Sequence, residues 1–166
     1  MAKGTGNRWI FRWVIAALLN GVVILPASGG RLPLPRFVSL RSDEVNLRLG
    51  PGAEYPVDWI YVRERLPVEI ISEFGPWRKI RDNSGTVGWV HQSMVSGMRT
   101  AMNTFPDQVL RKKPGTGQKP LAKVEAGAIG KLIQCRDGWC HVQFDKTKGW
   151  LMQRYLFGVY HEETIQ

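Results

Sequence analysis

Past residue 44 the chain runs in short apolar-rich bursts, punctuated by Gly, Pro, Asn and Asp. The bursts at 45–49, 59–61, 68–73, 77–81 and 86–90 are rich in Val, Ile, Trp and Tyr, the side chains that suit a pleated, half-buried surface. A weaker series follows: residue 124, then 128–135, 139–144 and 149–152, with Asp137-Gly138 as a hairpin turn signal. Between residues 31 and 166 no stretch keeps a helical period, so only short helical turns near 91–94 and 153–156 are predicted. Five short strands in about 55 to 60 residues suit a small closed barrel, which leaves no exposed sheet edge. The predicted fold class is all-β.

The bursts belong to a repeat. Asn46-Leu47-Arg48-Leu49-Gly50-Pro51-Gly52 returns as Val109-Leu110-Arg111-Lys112-Lys113-Pro114-Gly115, 63 residues on. Trp77 of Gly75-Pro76-Trp77 falls on Trp139 of Asp137-Gly138-Trp139, and Gly88-Trp89-Val90 falls on Gly149-Trp150-Leu151, with two single-residue deletions between copies. This predicts two tandem small barrels at residues 37–98 and 104–160, with a connection over 96–106.

Ahead of the repeat, Lys3, Arg8 and Arg12 precede an apolar run at 13–25 and the small residues Ala27-Ser28-Gly29. That is the layout of a secretory signal peptide, expected at 1–29, and the 13-residue run is short of the roughly 20 needed to span a bilayer. No stable membrane span is expected after cleavage. The formal charge of +9 would fall to +6, from 20 Lys and Arg against 14 Asp and Glu. The cations lie scattered through strand-like segments, which a solvated β surface explains as well as a nucleic-acid footprint does; nucleic acid is not an expected partner.

With the repeat in view, both units resemble the bacterial SH3 (SH3b) family, and the form found as tandem SH3-like domains in exported proteins of Gram-negative bacteria. The residues that carry the likeness are Asn46-Leu47-Arg48-Leu49-Gly50-Pro51-Gly52 with Tyr55-Pro56-Val57, and the pair Gly75-Pro76-Trp77 and Gly88-Trp89-Val90. The second unit departs from it: Val109 stands for Asn46, Lys113 for Gly50, and nothing aromatic answers Tyr55. The resemblance implies SH3-like barrels that recognise peptidoglycan or a cell-wall peptide in the periplasm or outside the cell. Fold alone does not name a ligand. An adaptor docking on an envelope protein and an unrecognised envelope hydrolase are the alternatives.

Trp77, Trp89, Trp139 and Trp150 recur at equivalent points, which predicts core packing. Tyr55, Trp59 and Tyr61 do not recur, so the fold does without them, and they form the expected ligand patch together with Arg48. Arg48 and Arg111 have a second reading, as arginines laying their stems over apolar neighbours. The sequence shows no catalytic constellation, metal-ligand spacing or cofactor loop, and Cys140 and His141 are adjacent on a strand, hence on opposite faces. The protein is read as no enzyme. Cys135 and Cys140 flank Arg136-Asp137-Gly138-Trp139, a four-residue hairpin loop whose flanking Cα atoms would lie about 4.5 to 5.5 Å apart, within disulfide reach. In an oxidising compartment they are predicted to be bonded. The same register puts Glu73 and Arg78 opposite each other in the first unit, as an exposed ion pair.

Overall fold

Strand alternation governs the whole described part of the chain, Met1 and residues 32–166 of a computed structural model. The expected signal peptide lies, apart from Met1, outside the described residues. Among the described residues fourteen strands make two seven-stranded antiparallel sheets. The first holds β1 (Arg36–Leu40), β2 (Val45–Arg48), β3 (Val57–Tyr61), β4 (Pro67–Phe74), β5 (Trp77–Arg81), β6 (Val87–His91) and β7 (Val95–Ser96), in the order β3-β2-β6-β5-β4-β1-β7. The second holds β8 (Thr100–Asn103), β9 (Gln108–Arg111), β10 (Pro120–Val124), β11 (Ile129–Arg136), β12 (Trp139–Phe144), β13 (Thr147–Met152) and β14 (Leu156–Phe157), in the matching order β10-β9-β13-β12-β11-β8-β14. The two short helical turns fall at Gln92–Met94 and Gln153–Tyr155. The stretch expected as a connection, 96–106, instead contains β8, all four of whose residues are buried.

The core departs from the expectation for the tryptophans. It is mainly aliphatic: Leu40, Val45, Leu47, Val68, Ile70, Ile80 and Val90 in the first barrel, and Leu132, Val142, Leu151 and Leu156 around the cysteines in the second. Trp77, Trp89 and Trp139 are only half-buried, and Trp150 alone is buried. The reason is strand parity. In β13, Gly149 and Leu151 turn inward, which leaves Trp150 on the outer face, where His141 stacks on it at 5.1 Å and the Arg136 guanidinium sits 5.1 Å from its ring. Likewise Lys79 lies over Trp89, and His91 meets the edge of Trp77.

The repeated sequence motifs are two halves of one packing unit. A Cβ on Gly88 would lie 2.5 Å from Cγ of Leu47, and one on Gly149 would lie 2.8 Å from Leu110 and 3.0 Å from the Arg111 carbonyl oxygen. The motif glycine on β6 or β13 therefore makes room for the motif leucine on β2 or β9.

Residues 32–166 form one compact unit. Met102 of β8 belongs to the first barrel's core, Phe37 packs on Phe157 and Tyr160 at 5.2 and 4.7 Å, and the Thr100 hydroxyl donates to the Arg65 carbonyl at 2.8 Å. The Tyr160 hydroxyl donates to buried Glu69 at 2.9 Å. Burial first, then that hydrogen bond and the Glu69 charge, push the phenol pKa up.

The C-terminal segment is tied down by Glu163, which accepts two hydrogen bonds of 2.9 Å from Arg99 and one of 3.0 Å from the Tyr160 N–H. Burial alone would raise its pKa, but the Arg99 hydrogen bonds, the Tyr160 N–H and the Arg99 charge outweigh it and hold the carboxyl below its ordinary 4.5. A carboxyl lowered by folding stabilises the fold above its unfolded pKa, and that contribution fades as pH falls through the native one. Stability should therefore begin to drop as pH passes below about 4.5, and Glu163→Gln should flatten that limb of the pH–stability profile measured by thermal unfolding. An unchanged acid limb in the variant would refute the assignment.

Candidate functional site

The segment joining β2 to β3 is latched from inside. Arg48 donates from Nη1 to the Tyr55 carbonyl at 2.7 Å, and the Leu49 N–H donates to Pro56 at 3.2 Å. The second barrel repeats the device: Arg111 Nη1 donates to the Gln118 carbonyl at 2.8 Å, and the Lys112 N–H donates to Lys119 at 3.0 Å. The Tyr55 ring lies on Gly50, where a Cβ would come within 2.3 Å of it. Since both copies use the arginine in this way, its role is to close the loop whatever the loop binds.

The latched loop displays an apolar edge. Tyr55, Val57 and Trp59 are 41%, 40% and 58% exposed, and Leu49 is exposed beside them. Val57 and Trp59 belong to β3, whose only sheet partner among the described residues is β2. At the matching places of the second barrel stand Gln118, Pro120 and Ala122, of which Pro120 and Ala122 pair with β9 as Val57 and Trp59 pair with β2. Pro and Lys123 on β10 also blunt that edge against strand pairing.

Tyr61 departs from the expected patch. It is 6% exposed, within the first barrel's core. Its hydroxyl donates to Asp82 Oδ2 at 3.0 Å, while Oδ1 accepts the N–H groups of Ser84 and Thr86 at 2.9 Å each. Burial, then the charge and hydrogen bond of Asp82, push the Tyr61 pKa up, so the phenol stays protonated. Tyr61 and Trp59 share a strand face and lie opposite the buried Val45 and Leu47, but Tyr61 is held inward by its hydrogen bond to Asp82 whereas Trp59 is 58% exposed. Arg48 thus holds the Tyr55 carbonyl, Trp59 stands exposed on the strand that follows, and Tyr61 belongs to the core instead.

Cys135 and Cys140 form a disulfide with Cα atoms 4.1 Å apart. The spacing is tighter than expected because the N–H and C=O of Cys135 both bond to Ile165, at 2.9 and 3.0 Å. The cysteines are thus a non-hydrogen-bonded pair, the closer kind. The loop between them is also shorter than four residues: Arg136 pairs with Trp139, leaving Asp137 (φ 52°) and Gly138 (φ 74°) as a two-residue turn of type I′. Both thiols are consumed in the bond, so neither can serve as a nucleophile. In the first barrel Glu73 does pair with Arg78 at 3.0 Å, but both side chains are mostly buried and Arg36 joins them.

The two matched sheets, the loop latch and the paired glycine and leucine define an SH3-like module present twice. The chain belongs to the bacterial SH3 domain family, whose model matches residues 41–97 and 106–158. Over 129 residues it is 29% identical to the Bacillus subtilis protein named "Putative N-acetylmuramoyl-L-alanine amidase YrvJ", covering 70% of this chain and 24% of that one. The chain thus spans about a quarter of that relative's length. Among solved structures, it is similar to NlpC2 of Trichomonas vaginalis (11% identity, TM-score 0.35, 76% of this chain and 49% of that one). An NlpC/P60 family protein of Bacillus cereus shows 12% identity and a TM-score of 0.33, over 73% of this chain and 55% of that one. Neither likeness carries an argument about function.

Proposed function

We propose that this protein is an exported, non-catalytic cell-wall-binding protein whose first barrel holds wall peptide against Tyr55 and Trp59. The observation that carries the proposal is two exposed aromatic residues, Tyr55 in the latched loop and Trp59 on the edge strand that follows it, replaced by Gln118 and Ala122 in the other copy. Aromatic rings at a sheet edge supply contact area at low entropic cost, beside backbone groups that an extended peptide can pair with. Relatedness to a protein named as a wall amidase supports the wall as the target, and the disulfide supports an oxidising compartment, periplasmic or outside the cell.

The test is sedimentation of the protein with purified sacculi. Binding should fall about tenfold or more in Tyr55→Ala plus Trp59→Ala, the loss typical of truncated hot-spot aromatics. Binding that is unchanged by the pair removes the site. Absence of sacculus binding, together with one specific co-purifying envelope protein, would favour an adaptor. Muropeptide release beyond a heat-inactivated control would end the non-catalytic reading.

A further inference from the structure

The charge of the chain is not evenly shared. Residues 37–98 carry seven Lys and Arg against eight Asp and Glu, whereas residues 104–160 carry ten against four. Placement sharpens the contrast. In the first barrel the strands set cations against acids: Arg81 is ion-paired with Glu69, and Arg78 and Arg36 with Glu73. Strands β9 to β13 contain Arg111, Lys123, Lys131, Arg136 and Lys148 and no acidic residue. Lys131 occupies the place that Glu69 holds in the first barrel, and Gln143 that of Arg81.

These cations share one outer face. Lys131 on β11 and Lys148 on β13 both lie opposite Gln143 on β12, from its two sides, so they are two strand spacings apart, about 10 Å. Two register positions along, on the same face, Arg111, Trp150 and His141 form the next row, with the Arg136 guanidinium held over Trp150. Lys123 continues the face on the edge strand β10. Lys123, Lys131, Arg136 and Lys148 are exposed, and none enters an ion pair among the described residues. Burial and then the Lys148 charge lower the His141 pKa, so the stacked ring favours its neutral form and the face keeps its charge in fixed cations.

We propose that the outer face of the second barrel, centred on Lys123, Lys131, Arg136 and Lys148, binds a linear polyanion without aromatic bases, its anions phosphate or carboxylate. Fixed cations that enter no ion pair attract a polyanion through counterion release; the acids nearest them, Glu125 and Asp145, lie in loops that line hollows with Lys123 and Lys131 and carry fewer charges than the face. Two observations narrow the class. Trp150 is only 8% exposed beneath its stack, so the face offers little ring surface to a nucleic-acid base. Its strand cations also lack the set of exposed aromatic anchors that seat a protein in a lipid interface. The site is separate from the Tyr55 and Trp59 edge and stands or falls independently of it.

Binding of linear polyphosphate and of polyglutamate to the full chain, at about 50 and 200 mM salt, tests the proposal. Affinity for at least one should fall about fifty-fold across that range, the loss expected for about four released contacts with a single-stranded polyanion. Lys123→Ala, Lys131→Ala and Lys148→Ala together should weaken binding about a hundredfold at low salt. The three Lys→Arg replacements should retain binding, as should Tyr55→Ala plus Trp59→Ala. The proposal is overturned if neither polymer binds, or if the alanine variant binds as the parent does. Equal loss of binding in the alanine and arginine variants would overturn it too, as would tighter binding to single-stranded DNA or anionic phosphatidylglycerol vesicles than to either polymer.

Discussion

Reduction of the Cys135–Cys140 disulfide is expected to lower the melting temperature of the whole unit by about 8 °C. Closing so short a loop contributes about 2 kcal/mol in the chain-entropy model, and about 4 °C per kcal/mol is the scale for a unit of this size. The bond also fixes the β11 strand to which Ile165 docks, so its loss frees the C-terminal segment at the same time. Read as two separate barrels, the sequence predicts that reductant lowers the second transition and spares the first. The packing predicts otherwise, since Met102 sits in the first core and Phe37 is covered by Phe157 and Tyr160. One shared transition should move. Calorimetry of oxidised and reduced protein decides the matter: two resolved transitions, with only the upper or lower displaced, would contradict it.

The repeat made the fold legible, because motif residues in both copies answer to one packing requirement. Gly88 and Gly149 recur because Leu47 and Leu110 occupy the space a side chain would need. Turn chemistry was equally plain in Asp137-Gly138, where both residues adopt positive φ. The tryptophans misled because recurrence fixes an architectural position without saying which face of the strand it lies on; parity against the inward Gly149 and Leu151 answers that. Tyr61 misled through register. Continuing the offset of 63 from Arg48 and Arg111 sets Tyr61 on Val124, which is buried at the matching place, and Trp59 on Ala122. That alignment would have divided the aromatic group correctly into one core residue and one edge residue. The cationic face of the second barrel was hidden by counting charge over the whole chain, since its signal is the absence of acids from five particular strands. The inter-barrel contacts left the weakest trace, because Phe37, Arg99 and Tyr160 belong to no motif.

Gly158→Ala is expected to destabilise the protein by more than 3 kcal/mol, the largest single effect among these predictions. Gly158 follows β14 with φ 110°, a conformation that an L side chain rarely adopts. An added Cβ would stand 2.4 Å from the Thr100 carbonyl oxygen, 3.1 Å from Cβ of Pro67 and 3.2 Å from Cα of Ala101. Thr100 and Ala101 are buried in β8 and paired with Lys131 and Gly130, and Thr100 holds the Arg65 carbonyl of the first barrel. Pro67 begins β4. The methyl group can be accommodated only by shifting β8 within its own sheet or by parting the two barrels. Backbone strain of about 1 to 3 kcal/mol then adds to an overpacking cost of similar size. The carbonyl of Gly158 also accepts a hydrogen bond from Arg99 at 2.8 Å, so a shift there disturbs the Arg99–Glu163 pair. Gly117→Ala is the matched comparison, since nothing lies within 4 Å of its Cβ position, and it should stay within about 0.5 kcal/mol of the parent. A loss near 3 kcal/mol corresponds to about 12 °C in melting temperature, and it should appear in one transition shared by both barrels. A variant that melts within a degree or two of Gly117→Ala, or that loses only the second barrel's transition, would show that the junction at Gly158 does not couple them.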